Sequence, residues 1–200
     1  MNGINAQKSI GGLAEVFAGF PLRGAIGDLP KGDTALIQLR DADPDHGIAW
    51  GELRPIGVPR IPTRAVLRKG DILLSTRGGR NFAYLIDRDP TQITVCAPQF
   101  FVIRIADQAN VLPDFVSWQI NQRYCQDFFA AGATGTRILN LRREVVESVP
   151  LVIPPLEKQR SIVQLQEAAA REREILSRII EIRAMELANI ASDMAPQIQM

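Results

Sequence analysis

Read for its apolar and polar positions, the chain changes character at Pro154-Pro155. Upstream, short apolar runs alternate with Gly, Pro and Asp. Residues 34–40 (TALIQLR), 71–74 (DILL), 81–86 (NFAYLI) and 100–105 (FFVIRI) are rich in β-branched and aromatic side chains and bounded by turn residues, which predicts strands. Residues 149–153 form a further short strand candidate. One helix stands out. Pro113 suits a first turn, Asp114 complements the positive end of the dipole, and Phe115, Val116, Ile120, Tyr124 and Phe128 recur at helical spacing up to Gly132. A second short helix follows from Asn140, a good N-cap, through Glu147. Strands interleaved irregularly with few helices predict an α+β fold.

Downstream, no Gly or Pro occurs between Pro155 and Pro196, and Glu157 favours a helix start. That predicts one helix of roughly 40 residues, about 60 Å long. A strict heptad started at Ile162 and Leu165 puts Glu172, Arg183 and Glu186 at core positions. An eleven-residue repeat fits better: Leu165, Leu176 and Leu187 share one register, Ala168, Ile179 and Ile190 a second, and Ala169, Ile180 and Ala191 a third. At about 3.67 residues per turn such a stripe stays on one face with little supercoiling. Glu167, Arg171, Glu174, Arg178 and Glu181 alternate in charge on the other faces, as a solvated surface does. The stripe could pack on the chain's own globular part or on another helix. Length favours the second. A globular part of about 150 residues is roughly 30–35 Å across, so about half of the helix would overhang. The expectation is therefore antiparallel pairing with another chain through Leu165, Ala169, Leu176, Ile179, Ile180, Leu187 and Ile190.

Composition adds mainly exclusions. The 200 residues carry 23 basic and 22 acidic side chains, and 46% are apolar, enough for a real core. No run approaches the length of a membrane span, and no basic segment followed by an apolar run marks a secretory signal. Cys96 and Cys125 are too few for a disulfide framework, so a cytoplasmic chain without a membrane partner is expected. His46 is the only histidine, and no metal-ligand spacing, nucleophile–histidine pair, P-loop or dinucleotide fingerprint is present. The expectation is no catalytic residue, no metal and no cofactor.

Charge is neutral overall but unevenly placed. Residues 54–80 hold seven basic residues, Arg54, Arg60, Arg64, Arg68, Lys69, Arg77 and Arg80, against Asp71 alone, a net +6. Arginine outnumbers lysine 19 to 4, and its planar fork suits phosphates and the guanine edge. The segment from Ser75 and Thr76 to Arg77, Gly78, Gly79 and Arg80 offers hydroxyls, close backbone approach and cations to a phosphate. The segment from Gly132 through Thr134, Gly135 and Thr136 to Arg137 has the same ingredients. Tight turns, with surface arginines paired to the acidic stretch before residue 54, explain the same features without nucleic acid.

Taken in order, Gly70-Asp71-Ile72-Leu73-Leu74-Ser75-Thr76-Arg77-Gly78 resembles the GDIL-(I/L)-S-x-R-G segment of the specificity (S) subunits of type I restriction–modification systems. Val152-Ile153-Pro154-Pro155-Leu156-Glu157-Lys158-Gln159-Arg160-Ser161-Ile162-Val163 resembles that family's lead-in to its long helix. Residues 132–140, and residues 13–16 with 19–24, resemble its glycine-threonine loop and its opening segment. The resemblance implies a DNA target-recognition domain over residues 1–152, a spacer and docking helix over 153–195, and a tail over 196–200. It also implies a non-catalytic role, with DNA methyltransferase subunits and a restriction subunit as partners. Members usually carry two recognition domains and two long helices, whereas this chain has one of each, so the resemblance implies a half-subunit on a bipartite target, paired as a homodimer. Pairing with a different half-subunit, or a remnant of a longer subunit, is equally open on these residues. The alternatives outside that family are a helical scaffold whose head binds protein, and a self-sufficient nuclease, which the missing motifs disfavour.

Overall fold

A computed structural model of the chain describes residues 6–22, 30–44, 46–58, 60–76, 81–132 and 141–194. Two compact units divide it, Met1–Arg160 and Ser161–Met200. In the first, chain order runs β1 (Ala6–Ser9), a helical turn α1 (Ile10–Leu13), β2 (Ala14–Ala18), β3 (Thr34–Ile37), β4 (Ala42–Asp43), β5 (Gly47–Ile48) and β6 (Arg54–Ile56). It continues through β7 (Asp71–Ser75), β8 (Ala83–Leu85), β9 (Thr94–Cys96), β10 (Phe100–Ile105), α2 (Pro113–Ile120), α3 (Arg123–Gly132), α4 (Arg143–Ser148) and β11 (Pro150–Ile153). The long helix α5 (Leu156–Asp193) starts in this unit and supplies the second. The α+β expectation is met.

The main sheet is antiparallel, in the order β2-β10-β7-β8. A second sheet, β6-β3-β9, pairs β3 with β9 in parallel. Strand alternation explains how the second sheet is buried on both faces. Ile37 and Cys96 join a core with Phe17, Leu73, Phe100 and Val102, while their neighbours Leu36 and Val95 pack with Ile56 and Ala97 on the other side.

Three elements depart from the pattern-based reading. The strand beginning at Thr34 ends at Ile37, because Gln38 N donates to Asp41 Oδ2 at 2.8 Å and turns the chain into a short 3-10 helix over Leu39–Asp41. The single helix expected from Pro113 to Gly132 is two helices. Asn121 interrupts it by lending its side chain to the edge of β8: Ala83 N donates to Asn121 Oδ1 at 2.8 Å, and Asn121 Nδ2 donates to Ala83 O at 2.9 Å. The break rotates the buried face, so Cys125 and Phe129 point inward and Tyr124 lies exposed. The helix expected from Asn140 begins instead at Arg143, with Arg142 as a cap residue whose side chain makes no capping bond; Asn140 lies outside the described residues.

Helix α5 runs 38 residues, close to the expected length. Its first turn is anchored by Gln159, which is fully buried. Gln159 Oε1 accepts from Leu112 N, and its Nε2 donates to Asn110 O and Pro154 O. The stripe residues Leu165, Leu176, Ile179, Ile180, Leu187 and Ile190 are exposed, and Ala169 is partly so. No described helix is long and apolar enough to cross a membrane.

Candidate nucleic-acid interface

Strand β7 carries the motif at the centre of the charge window, and its two ends do different work. Gly70 precedes it with φ +86°, a left-handed conformation that favours glycine. Asp71 follows, fully buried, and takes a two-pronged ion pair from Arg104 of β10, with Nε and Nη2 each at 2.7 Å from a carboxylate oxygen. Asp71 also accepts from Arg68 N at 2.9 Å. Arg104 further donates to Arg64 O and Val66 O, which fixes the backbone that carries the basic residues. The one acid counted against the arginine window is thus neutralised by an arginine outside that window.

The other described cations of the window are mostly surface groups. Arg64 meets Glu15 at 3.0 Å and lies 4.7 Å above the Phe17 ring. Its acidic partner therefore comes from β2, not from the acidic stretch before residue 54. Arg60, Arg68 and Lys69 are exposed and carry no ion pair among the described residues, while Arg54 sits half-buried in β6.

Ser75 and Thr76 close the other end of β7, and both are buried. Phe82 N donates to Ser75 Oγ at 2.9 Å, and Thr76 Oγ1 donates to Gln99 O at 2.9 Å. These hydroxyls were expected to meet a phosphate. Burial and internal hydrogen bonds give them a structural task instead. Arg77 and Arg80, and in the second glycine segment Thr134, Thr136 and Arg137, lie outside the described residues.

The stems of both segments are described, and they converge. Asn81 Nδ2 donates across the first stem to Ser75 O at 2.7 Å. Gln126 of α3 donates to Asn81 O at 2.9 Å and to Ile120 O at 3.0 Å. Leu141, which follows the second segment, donates its N–H to Thr76 O at 3.3 Å. Two features therefore lie at opposite ends of a five-residue strand, roughly 13 Å apart at about 3.3 Å per residue. One holds Arg64, Arg68 and Lys69; the other is the joined pair of stems.

Sequence reasoning missed Glu15, Asn81, Arg104 and Gln126. Glu15, Arg104 and Gln126 act through partners far away in sequence, Asn81 closes a stem six residues back, and no local motif marks any of them. Thiol chemistry is disfavoured by the environment: burial pushes Cys96 up to about 12 and Cys125 up to about 11, so neither is a thiolate near neutral pH. Among the described residues, no three His, Cys, Asp or Glu side chains group as metal ligands.

No family model matches the chain, and no curated protein matches it. Solved structures do. The S subunit of a type I restriction–modification system from M. genitalium aligns at 17% identity and TM-score 0.59, covering 92% of this chain and 44% of that one. The HsdS subunit from Thermoanaerobacter tengcongensis aligns at 21% identity and TM-score 0.63, covering 98% and 51%. A chain from a structure concerned with complex assembly and conformational transition of the type I R-M system aligns at 17% identity and TM-score 0.66, covering 92% and 43%. This chain thus spans about half the length of the structures it matches, and at these identities the likeness is one of fold. Over that half, its fold is the fold of type I restriction–modification S subunits.

Proposed function

We propose that this sequence is one recognition half of a type I restriction–modification S subunit: a non-catalytic, cytoplasmic, double-stranded-DNA-binding chain that needs no cofactor of its own. The observation that carries the reading is the pair of coverages, 92–98% of this chain against 43–51% of the solved structures. In this reading residues 1–152 are the target-recognition domain, residues 153–195 the spacer and pairing helix, and residues 196–200 a tail. Arg64, Arg68 and Lys69 neutralise phosphates at one end of β7, and Arg54 and Arg60 do so elsewhere on the same domain. Arg77, Arg80, Thr134, Thr136 and Arg137 approach the duplex from the joined stems.

The exposed stripe on α5 supports association. Seven residues at an eleven-residue recurrence, mostly large and apolar, leave a face that water solvates poorly. Two copies joined antiparallel would present two heads related by a two-fold axis, and a two-fold protein reads a palindromic, split target. Methyl transfer and cleavage then belong to methyltransferase and restriction subunits that the paired helices recruit.

The deciding experiment is the native mass and composition of the tagged chain purified from its own host. A complex with two copies and a DNA methyltransferase is expected. A monomer with no such partner would overturn both the pairing and the assigned role, and would favour the scaffold alternative.

A further inference from the structure

An open hollow of about 430 Å³ lies beside β2, β10 and the 63–68 segment, with Glu15, Arg64, Arg68 and Arg104 on its walls. Its three arginines are held very differently. Arg104 donates to both oxygens of Asp71 and to the carbonyls of Arg64 and Val66, so four of its five guanidinium N–H groups are engaged and the side chain is largely buried. Arg64 is held by one ion pair to Glu15 at 3.0 Å, with the two side chains 52% and 50% exposed, and by the face of Phe17. Arg68 has no ion pair among the described residues.

Sheet register explains the carboxylate. Glu15 of β2 is the cross-strand partner of Arg104 of β10. Solvent-exposed pairs of this kind are weak and screened by salt, while a phosphate oxygen offers an arginine a charge-assisted, two-pronged acceptor. An incoming phosphate therefore competes with Glu15 on favourable terms and finds Arg68 as a second donor.

We propose that this hollow is a phosphate subsite in which a phosphate oxygen replaces the Glu15 carboxylate on Arg64, so that Glu15 restrains sequence-independent affinity. The backbone phosphodiester of duplex DNA is the ligand, which rests on the reading given above. Glu15 acts here as a built-in competitor. Binding that does not also gain energy elsewhere on the surface must first displace it.

The test compares binding of a random 20-base-pair duplex, across a salt series, by the wild-type chain and by Glu15→Gln, Arg64→Ala, Glu15→Gln/Arg64→Ala and Glu174→Gln variants. Glu174→Gln makes the same charge change on α5. Glu15→Gln is expected to bind about three- to fivefold tighter, with a salt slope steeper by about one phosphate contact. Arg64→Ala should abolish that gain, and Glu174→Gln should not reproduce it. A gain that survives loss of Arg64, or that Glu174→Gln matches, overturns the subsite in favour of net charge. Titration with tripolyphosphate separates the two readings. If the wild-type chain ignores duplex while tripolyphosphate binding follows the expected order, the subsite stands and the DNA reading falls. If the wild-type chain binds duplex but Glu15→Gln tightens neither probe, the subsite falls and the DNA reading stands.

Discussion

The carbonyl of Thr76 accepts a hydrogen bond from Leu141 N at 3.3 Å, across 65 positions of sequence. That bond ties the stem of the arginine-glycine segment after β7 to the stem of the glycine-threonine segment before α4. The stems of two stretches with the same phosphate-binding composition therefore meet at one place, and a strand's length separates those stems from the backbone of Arg64 and Arg68.

Asn81 keeps the first stem closed. Its buried amide spans back to Ser75 O at 2.7 Å and is the only side chain among the described residues that does so. Asn81→Ala leaves a carbonyl without that partner, which costs about 1–3 kcal/mol. A lowered urea midpoint is expected, together with weaker duplex binding at low salt. Full stability with unchanged binding would remove the stem from any positioning role.

The buried pair of Asp71 and Arg104 should be the more costly point to break. Arg104→Met leaves a fully buried carboxylate unpaired and two backbone carbonyls without a donor. Removing one partner of such a pair costs about 3–5 kcal/mol. Equilibrium unfolding should show a loss of that order. A change below about 1 kcal/mol would mean that water replaces the guanidinium there.

These same residues show what local pattern can and cannot reveal. Strand β10 is legible because Phe100 to Ile105 is apolar, β-branched and aromatic throughout, and the long helix because nothing interrupts it. Strand β1 is not. Ala6 to Ser9 is exposed at every position and is held by backbone pairing to β11, which leaves no hydrophobic signature. The break between α2 and α3 was hidden for a related reason. Asn121 is tolerable in a helix, and only the edge of β8 gives it a better use. At the candidate site, the arginine-rich window was visible, but Glu15 and Arg104 reach it from neighbouring strands by register. Gln159 lies within the segment that carries the family resemblance, yet its task, binding residues 110 and 112, is a tertiary one.

Gln159→Leu tests that last point. The substitution is close in size but leaves Leu112 N and Asn110 O without their partner, at about 1–3 kcal/mol for each orphaned group. Hydrogen exchange should speed up first at Leu112 and through the first turn of α5. Protection equal to that of the wild-type chain would show that packing alone anchors the helix start.

Alkaline conditions should weaken the fold through its thiols. Burial raises Cys96 from 9.0 to about 12 and Cys125 from 9.0 to about 11. Between those values and 9 the unfolded thiols have lost their protons while the folded ones keep them, so the folded state binds more protons and stability falls as pH rises. The loss should begin near pH 9 and level off near 11 to 12, with no contribution from these groups at pH 7. Urea midpoints at pH 7, 9 and 10 measure it, and Cys96→Ala should flatten the slope. A midpoint independent of pH over that range would mean that both thiols reach solvent.

Charge exchange on the stripe distinguishes antiparallel from parallel pairing. Leu165 and Leu187 each lie eleven residues from Leu176, on opposite sides. An antiparallel pair centred on Leu176 sets Leu165 of one copy against Leu187 of the other, whereas a parallel pair sets each against itself. Leu165→Glu or Leu187→Lys alone buries an uncompensated charge and should shift the chain toward monomer in sedimentation velocity. The chain carrying both substitutions places Glu against Lys at each end of an antiparallel pair, so association should return in part, more so at low salt. In a parallel pair the same double substitution sets like charges together, and association would be weaker than with either change alone. That second result would end the antiparallel arrangement; a parallel pair keeps a two-fold axis, so the palindromic target would stand while the head-to-head geometry proposed for it would not.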